Sequence, residues 1–158
     1  MKSRFFILMI LLIIVFPVIV MGQTAAEWFT SAERNYNNGN WDRAISDYSQ
    51  VLRLETNNPF AYYNRGVAYS QKGDHDHAIA DYSQAILYEP NVAQLYATRG
   101  WTYYLRAWQK GGNQRIGDPA DAERAEADLL KALQLDPESR YIRERLSTIL
   151  NRWHPAVG

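Results

Sequence analysis

The sequence predicts an all-α protein, a short solenoid of about three helical hairpins closed by a capping helix and preceded by an apolar N-terminal segment. Three observations predict it. Residues recur at a constant offset of 34 positions: Gly39 with Gly73, Ala44 with Ala78, Asp47 with Asp81, Tyr48 with Tyr82, Leu52 with Ile86. Inside one unit, small and aromatic residues return at helical spacing on both sides of a glycine, and a proline closes the unit. A hairpin of this size leaves one side of each helix uncovered, so the units must stack to bury a continuous core.

The N-terminal element is Met1 to Gly22. Lys2 and Arg4 precede an apolar run of 17 residues from Phe5 to Met21, interrupted by Pro17 and followed by Gly22. A basic start, an apolar stretch shorter than the roughly 20 residues that span a bilayer, and a small residue after it form the pattern of a secretory signal. Residues 1–22 therefore read as a signal peptide cleaved after Gly22, or as an uncleaved anchor tethering the chain through residues 5–21. Either way the rest of the chain is expected outside the cytoplasm, periplasmic or secreted in the first case and membrane-bound in the second.

The repeats follow from residue 25. In residues 59–92, Tyr62, Gly66 and Tyr69 share a helical face, Gly73 breaks the helix, and Ala78, Tyr82, Ala85 and Ile86 build a second one that Pro90 ends. Gly66 and Ala78 let the two helices approach closely while the tyrosines fill the space beside them. Residues 25–58 repeat the pattern through Trp28, Ala32, Gly39, Ala44 and Tyr48, with Asn35 at one aromatic place and the proline displaced to Pro59. A third unit, 93–139, begins with Tyr96, Gly100 and Tyr103 and resumes at Ala125, Leu129, Ala132, Leu133 and Pro137. This ordered set of aromatic, small, Gly, Ala and Pro positions at a 34-residue period resembles the tetratricopeptide repeat. The resemblance covers nearly all of the chain after its leader and implies a tetratricopeptide-repeat α-solenoid.

Between the helices of the third unit, Tyr103 to Ala125 spans 22 positions where Tyr69 to Ala78 spans nine, an insertion of 13 residues near 104–119. Gly111 and Gly112 should end its lengthened first helix. Asp118 followed by Pro119 is a start signal for the second, a capping side chain before proline at the first helical position. Arg106, Trp108, Lys110 and Arg115 make the insertion basic with one exposed aromatic. It reads as a tolerated loop or as a contact surface. Residues 140–153 form the capping helix, with Tyr141, Ile142, Leu146, Ile149, Leu150 and Trp153 inward and Arg140, Arg143, Glu144, Arg145 and Arg152 toward water.

Composition narrows the function. Lys and Arg number 17 and Asp and Glu 17, so no basic excess recruits nucleic acid. Cysteine is absent, which excludes thiol catalysis, thiolate metal sites and disulfides. Asp74-His75-Asp76-His77 is the one run resembling metal ligands. Its spacing does not share a helical face, and the equivalent Asn40-Trp41-Asp42-Arg43 lacks both histidines. No nucleophile elbow, phosphate loop or paired acid and base is visible. No cofactor or catalytic residue is expected, and the chain should not be an enzyme.

The family resemblance implies that the first helix of each hairpin lines a concave groove for a partner peptide or helix. The positions that match are Phe29, Glu33 and Tyr36, then Phe60, Tyr63, Val67 and Ser70, then Gln94, Trp101, Tyr104 and Leu105. The places where the family carries a basic clamp for a C-terminal carboxylate hold Phe29, Tyr63 and Ala97, which points to an apolar or aromatic ligand segment. The expected function is a protein-interaction scaffold, with a self-assembling structural subunit or accessory component of an envelope complex as the rival reading. Asp47 is expected to pair with Arg65, and Asp81 with Arg99, across the stacking junctions.

Overall fold

The computed structural model describes residues 23–111 and 118–153. Segment 1–22, with its signal and anchor readings, lies outside the described residues, as does Arg115 of the insertion. The described residues contain no strand and form seven helices: α1 (Ala25–Asn37), α2 (Trp41–Leu54), α3 (Pro59–Gln71), α4 (His75–Tyr88), α5 (Ala93–Gly111), α6 (Pro119–Leu135) and α7 (Arg140–Trp153). They pair as the hairpins α1–α2, α3–α4 and α5–α6. Each hairpin packs on the next, and α7 lies on α6 and touches α5. This is the predicted solenoid.

Local chemistry sets the helix ends. At α1, Thr24 Oγ1 accepts from the Glu27 amide at 3.2 Å while Glu27 Oε2 accepts from the Thr24 amide at 2.8 Å, a reciprocal capping box. Asn58 Oδ1 caps α3 through the Ala61 amide at 2.9 Å, with Pro59 opening the helix. Asp118 Oδ1 does the same for α6 through the Ala120 amide at 3.0 Å, ahead of Pro119. The turns after α1 and α3 place Gly39 and Gly73 at φ of 74° and 79°. In that left-handed conformation the next amides, Asn40 and Asp74, reach back to the Asn35 and Tyr69 carbonyls at 2.9 and 3.0 Å.

Hairpin packing depends on the small residues. A Cβ on Gly66 would sit 2.8 Å from Tyr82 Cε1 and 3.2 Å from the Ala78 carbonyl oxygen. One on Gly100 would sit 2.9 Å from Asp128 Cβ and 3.0 Å from the Ala125 carbonyl oxygen. Tyr48 and Tyr82 fill the neighbouring space and are buried with Ala32, Ala44 and Ala78. Burial, then the nearby Glu33 carboxylate, pushes the Tyr48 hydroxyl up to about 12. Burial raises Tyr82 further still. Both are neutral packing groups.

The described part of the insertion extends the two helices that flank it. α5 has 19 residues against 13 in α3, and α6 has 17 against 14 in α4. Arg106, expected in a basic loop, lies on α5 and is committed to ion pairs. Its Nε and Nη2 bind Asp121 at 2.8 and 2.6 Å, and its Nη1 binds Asp76 at 2.5 Å. One repeat earlier, Lys72 pairs with Asp42 in the same relation.

The expected junction pairs need correction. Arg65 binds Asp81 of its own hairpin through Nε and Nη2, both at 2.8 Å, and gives Nη1 to Ser49 of the preceding hairpin at 3.0 Å. Arg99 repeats this with Asp128 at 2.7 and 2.8 Å and Ser83 at 2.9 Å. Asp47 instead accepts from Ser31 Oγ and Asn35 Nδ2, each at 2.8 Å. The facing helix of the same hairpin presents the carboxylate across the tight glycine contact, and the neighbouring hairpin presents only a hydroxyl. The planar guanidinium satisfies both at once.

Candidate partner-binding groove

The sequence-predicted groove residues divide by what packs behind them. Phe60 is 69% exposed at the second position of α3, held there by the Asn58 cap and Pro59. Tyr63, one turn on, is half-buried, with its ring 5.8 Å from Tyr82. Gln94 is exposed at the start of α5 and donates to Thr98 Oγ1 at 2.9 Å. These three meet in one cleft of about 310 Å³, completed by Pro59, Glu89, Val92 and Leu95. Leu95 is buried and makes the floor, Val92 is exposed at the rim, and Glu89 is the charged wall.

The turn beside the cleft is tied down from both repeats. Tyr96 Oη donates to the Pro90 carbonyl at 3.0 Å, and the equivalent Tyr62 donates to Thr56 at 3.2 Å. A second cleft, of about 360 Å³, lies one repeat earlier between Ala25, Ala26, Phe29, Thr30, Val51, Glu55 and Asn58. Ala25, Ala26, Phe29, Glu55 and Asn58 are the 34-residue equivalents of Pro59, Phe60, Tyr63, Glu89 and Val92. The same backbone seat therefore recurs, lined by alanine and asparagine in one copy and by phenylalanine and valine in the next. Only the later copy offers a large exposed ring.

The remaining groove residues sit elsewhere. Phe29 and Tyr36 are half-buried against the first hairpin's core, Phe29 5.4 Å from Tyr48 and Tyr36 4.9 Å from Trp41. Glu33 is exposed, while Val67 and Ser70 are half-buried along α3. Trp101 and Leu105 pack partly against the cluster that α7 completes. Tyr104 requires correction. It is buried, 7% exposed, among Ile142, Leu146 and Ile149, because α7 lies over this part of α5. It is packing and not ligand surface.

Sequence reasoning missed Pro59, Glu89, Val92 and Leu95. The signal that could have found them was the repeat itself, since loop residues at the two 34-spaced seats line equivalent clefts. It also placed Arg145 in water. The Arg145 guanidinium lies 3.9 Å from the Trp101 ring centroid and 4.5 Å from that of Tyr141.

The Asp74–His77 run has structural work. Asp74 Oδ1 caps α4 through the His77 amide at 3.3 Å and its carboxylate meets His77 Nδ1 at 2.8 Å, while Asp76 serves Arg106. No group of three or more His, Cys, Asp or Glu side chains that could hold a metal ion occurs among the described residues. No helix among them is long and apolar enough to cross a membrane.

Comparison with known proteins gives two family matches: the model described as "Tetratricopeptide repeat" matches residues 59–92 and that described as "TPR repeat" matches residues 33–73. No curated protein sequence matches the chain significantly. The fold is similar to that of the first repeat domain of Spaghetti (RPAP3) bound to the HSP90 peptide SRMEEVD, at a TM-score of 0.67 and 21% identity over 79% of this chain and 89% of that one. The Sgt2 domain from Aspergillus fumigatus matches at 0.67 and 20% identity, over 84% and 82% of the two chains. MamA matches at 0.69 and 16% identity, over 81% and 67%.

Proposed function

As a tetratricopeptide-repeat protein, this chain is, we propose, a non-catalytic scaffold that holds an extended or helical segment of a partner protein on its concave face. The observation that carries the reading is the cleft between α3 and α5, where Phe60 stands 69% exposed over an apolar floor. Isolated exposed apolar residues are ordinary on protein surfaces, but an exposed ring at the mouth of an apolar cleft suits capture of another side chain. Solved relatives of this fold hold peptides, from HSP90 in one case and HSP70 in another. Here the positions of the family's basic clamp are Phe29, Tyr63 and Ala97, so an aliphatic or aromatic anchor suits the cleft better than a carboxylate does. Three hairpins give an interface near the small end of the specific range, which corresponds to micromolar affinity for a segment of about ten residues.

The site of action in this reading is outside the cytoplasm. Lys2, Arg4 and the apolar run 5–21 support export, with Gly22 the last residue removed or the segment kept as a tether. N-terminal sequencing of the protein recovered from its host distinguishes the two.

The partner is sought by crosslinking and co-purification from membrane and extracytoplasmic fractions. Phe60→Ala is expected to weaken it about tenfold or more with the circular dichroism spectrum unchanged. Unchanged affinity in that variant would refute the cleft. A tight homo-oligomer in sedimentation, dispersed by the same substitution, would make the rival self-assembling subunit the correct reading.

A further inference from the structure

The cleft between α3 and α5 carries one charge that the fold does not answer. Glu89 is exposed and is the only charged side chain among the described residues that line the cleft. Among the described residues its side chain has no hydrogen-bond or ion-pair partner. It also stands at the C-cap of α4, whose last turn contains no basic residue. The carboxylate therefore adds to the negative end of the helix dipole, where a cation is favourable and an anion is not.

The equivalent seat one repeat earlier shows what is missing. There Glu55 is the C-cap of α2, Arg53 puts a basic residue in the last turn, and Asn58 Nδ2 donates to Glu55 Oε2 at 2.7 Å. At the later seat the glutamate is kept, but the equivalents of Arg53 and Asn58 are Leu87 and Val92, both exposed. The copy that presents Phe60 is thus also the copy that leaves its carboxylate without local compensation. A solvated glutamate alone would carry no inference. Here it borders an apolar floor, Leu95, and an exposed ring, Phe60, so a segment seated on them comes within its reach. The surroundings have the same sign, since residues 23–92 contain nine Asp and Glu against five Lys and Arg, and such a field favours the approach of a cationic segment.

We propose that Glu89 is the cation-receiving point of the groove, and that the bound partner segment carries a Lys or Arg within about two residues of the apolar side chain that enters the Phe60 cleft. This rests on the groove reading and gives the partner a sign. Side chains two apart on an extended segment share a face at a separation of about 7 Å, so an anchor seated against Phe60 and Leu95 places its neighbour on that face at the edge of the cleft. The aliphatic stem of Lys or Arg lies along apolar surface while its head meets the Glu89 carboxylate and the negative end of α4.

The test selects decapeptides from a random display library against the full chain and remakes the tightest binders as amidated peptides, each Lys or Arg also replaced by glutamine. The expected result is one basic position whose replacement weakens binding to wild type about fivefold at low salt and leaves binding to Glu89→Gln unchanged, the difference being largely gone in about 0.5 M salt. Glu89→Gln should melt no lower than wild type, since it removes a negative charge from a helix C-terminus. Binders without a basic position, a basic position whose effect persists in Glu89→Gln, or a Glu89→Gln variant that melts several degrees lower would each overturn the assignment. The groove reading survives any of these if the same binders lose affinity to Phe60→Ala. Binding that Glu89→Gln weakens and Phe60→Ala does not would separate the carboxylate from the anchor and overturn the proposal as well. Binding indifferent to both substitutions, or no binding, removes both readings.

Discussion

Removing the Asp81 carboxylate tests the ion-pair ladder directly. In Asp81→Ala, Arg65 loses two of its three bonds and retains only Ser49 Oγ. Its side chain is 20% exposed, and that of Asp81 8%, so the abandoned charge can recruit little water. Breaking a fully buried pair from one side costs about 3–5 kcal/mol, and the residual exposure with the surviving serine bond brings the expectation to about 2–4 kcal/mol. Replacing both partners with apolar groups, Arg65→Met with Asp81→Leu, should lie within about 1 kcal/mol of wild type, because neither charge then needs solvation. Urea unfolding followed by far-UV circular dichroism measures both, provided the slopes agree. A single-variant loss below about 0.5 kcal/mol, or a double variant as unstable as Asp81→Ala, would refute the account.

Gly66→Ala should destabilise by about 0.5–2 kcal/mol in calorimetry, since overpacking against Tyr82 exceeds the gain of about 1 kcal/mol in helix propensity; a raised melting temperature would deny the close approach. Burial pushes the Asp121 carboxyl up, but the hydrogen bonds and charge of Arg106, joined by Arg124, outweigh it and hold it below its ordinary value. Its contribution is therefore present above the usual carboxylate range and lost as the pH falls through the lowered value. Asp121→Asn should flatten that acid limb of the stability curve, and an unchanged limb would remove Asp121 as its source. Phe60→Ala, at a site 69% exposed, should shift stability by no more than about 0.5 kcal/mol; a larger loss in denaturant unfolding would mark it as core.

The solenoid was legible because its signals are local and repeated. Gly73 marks a left-handed turn, Gly66 and Ala78 mark the close contact, and Asp118 with Pro119 marks a helix start, each through chemistry confined to a few neighbouring residues. The arginine partners were not legible in the same way. Periodicity shows that Arg65 and Arg99 are alike, but it does not say which of the repeated aspartates each one faces, and only the packed hairpin chooses Asp81. Asp128 was hidden because 13 inserted residues move it out of the 34-residue register. Tyr104 and Arg145 were misplaced for a common reason, that α7 settles over α5 through tertiary packing that no repeat period encodes. The cleft was half legible: Phe60, Tyr63 and Gln94 lie on helices whose faces the pattern orients, whereas Glu89 and Val92 lie where the chain turns.

The first hairpin departs from the other two at one position with a mechanical result. Where Arg65 and Arg99 each fasten three helices, Ser31 fastens two, because its short hydroxyl reaches Asp47 and goes no further. The rivet is missing from the first hairpin of the described stack. Force applied through residue 23 would peel α1 away before disturbing the helices that bear the cleft, so the opening pair of helices acts as a fuse for the surface behind it.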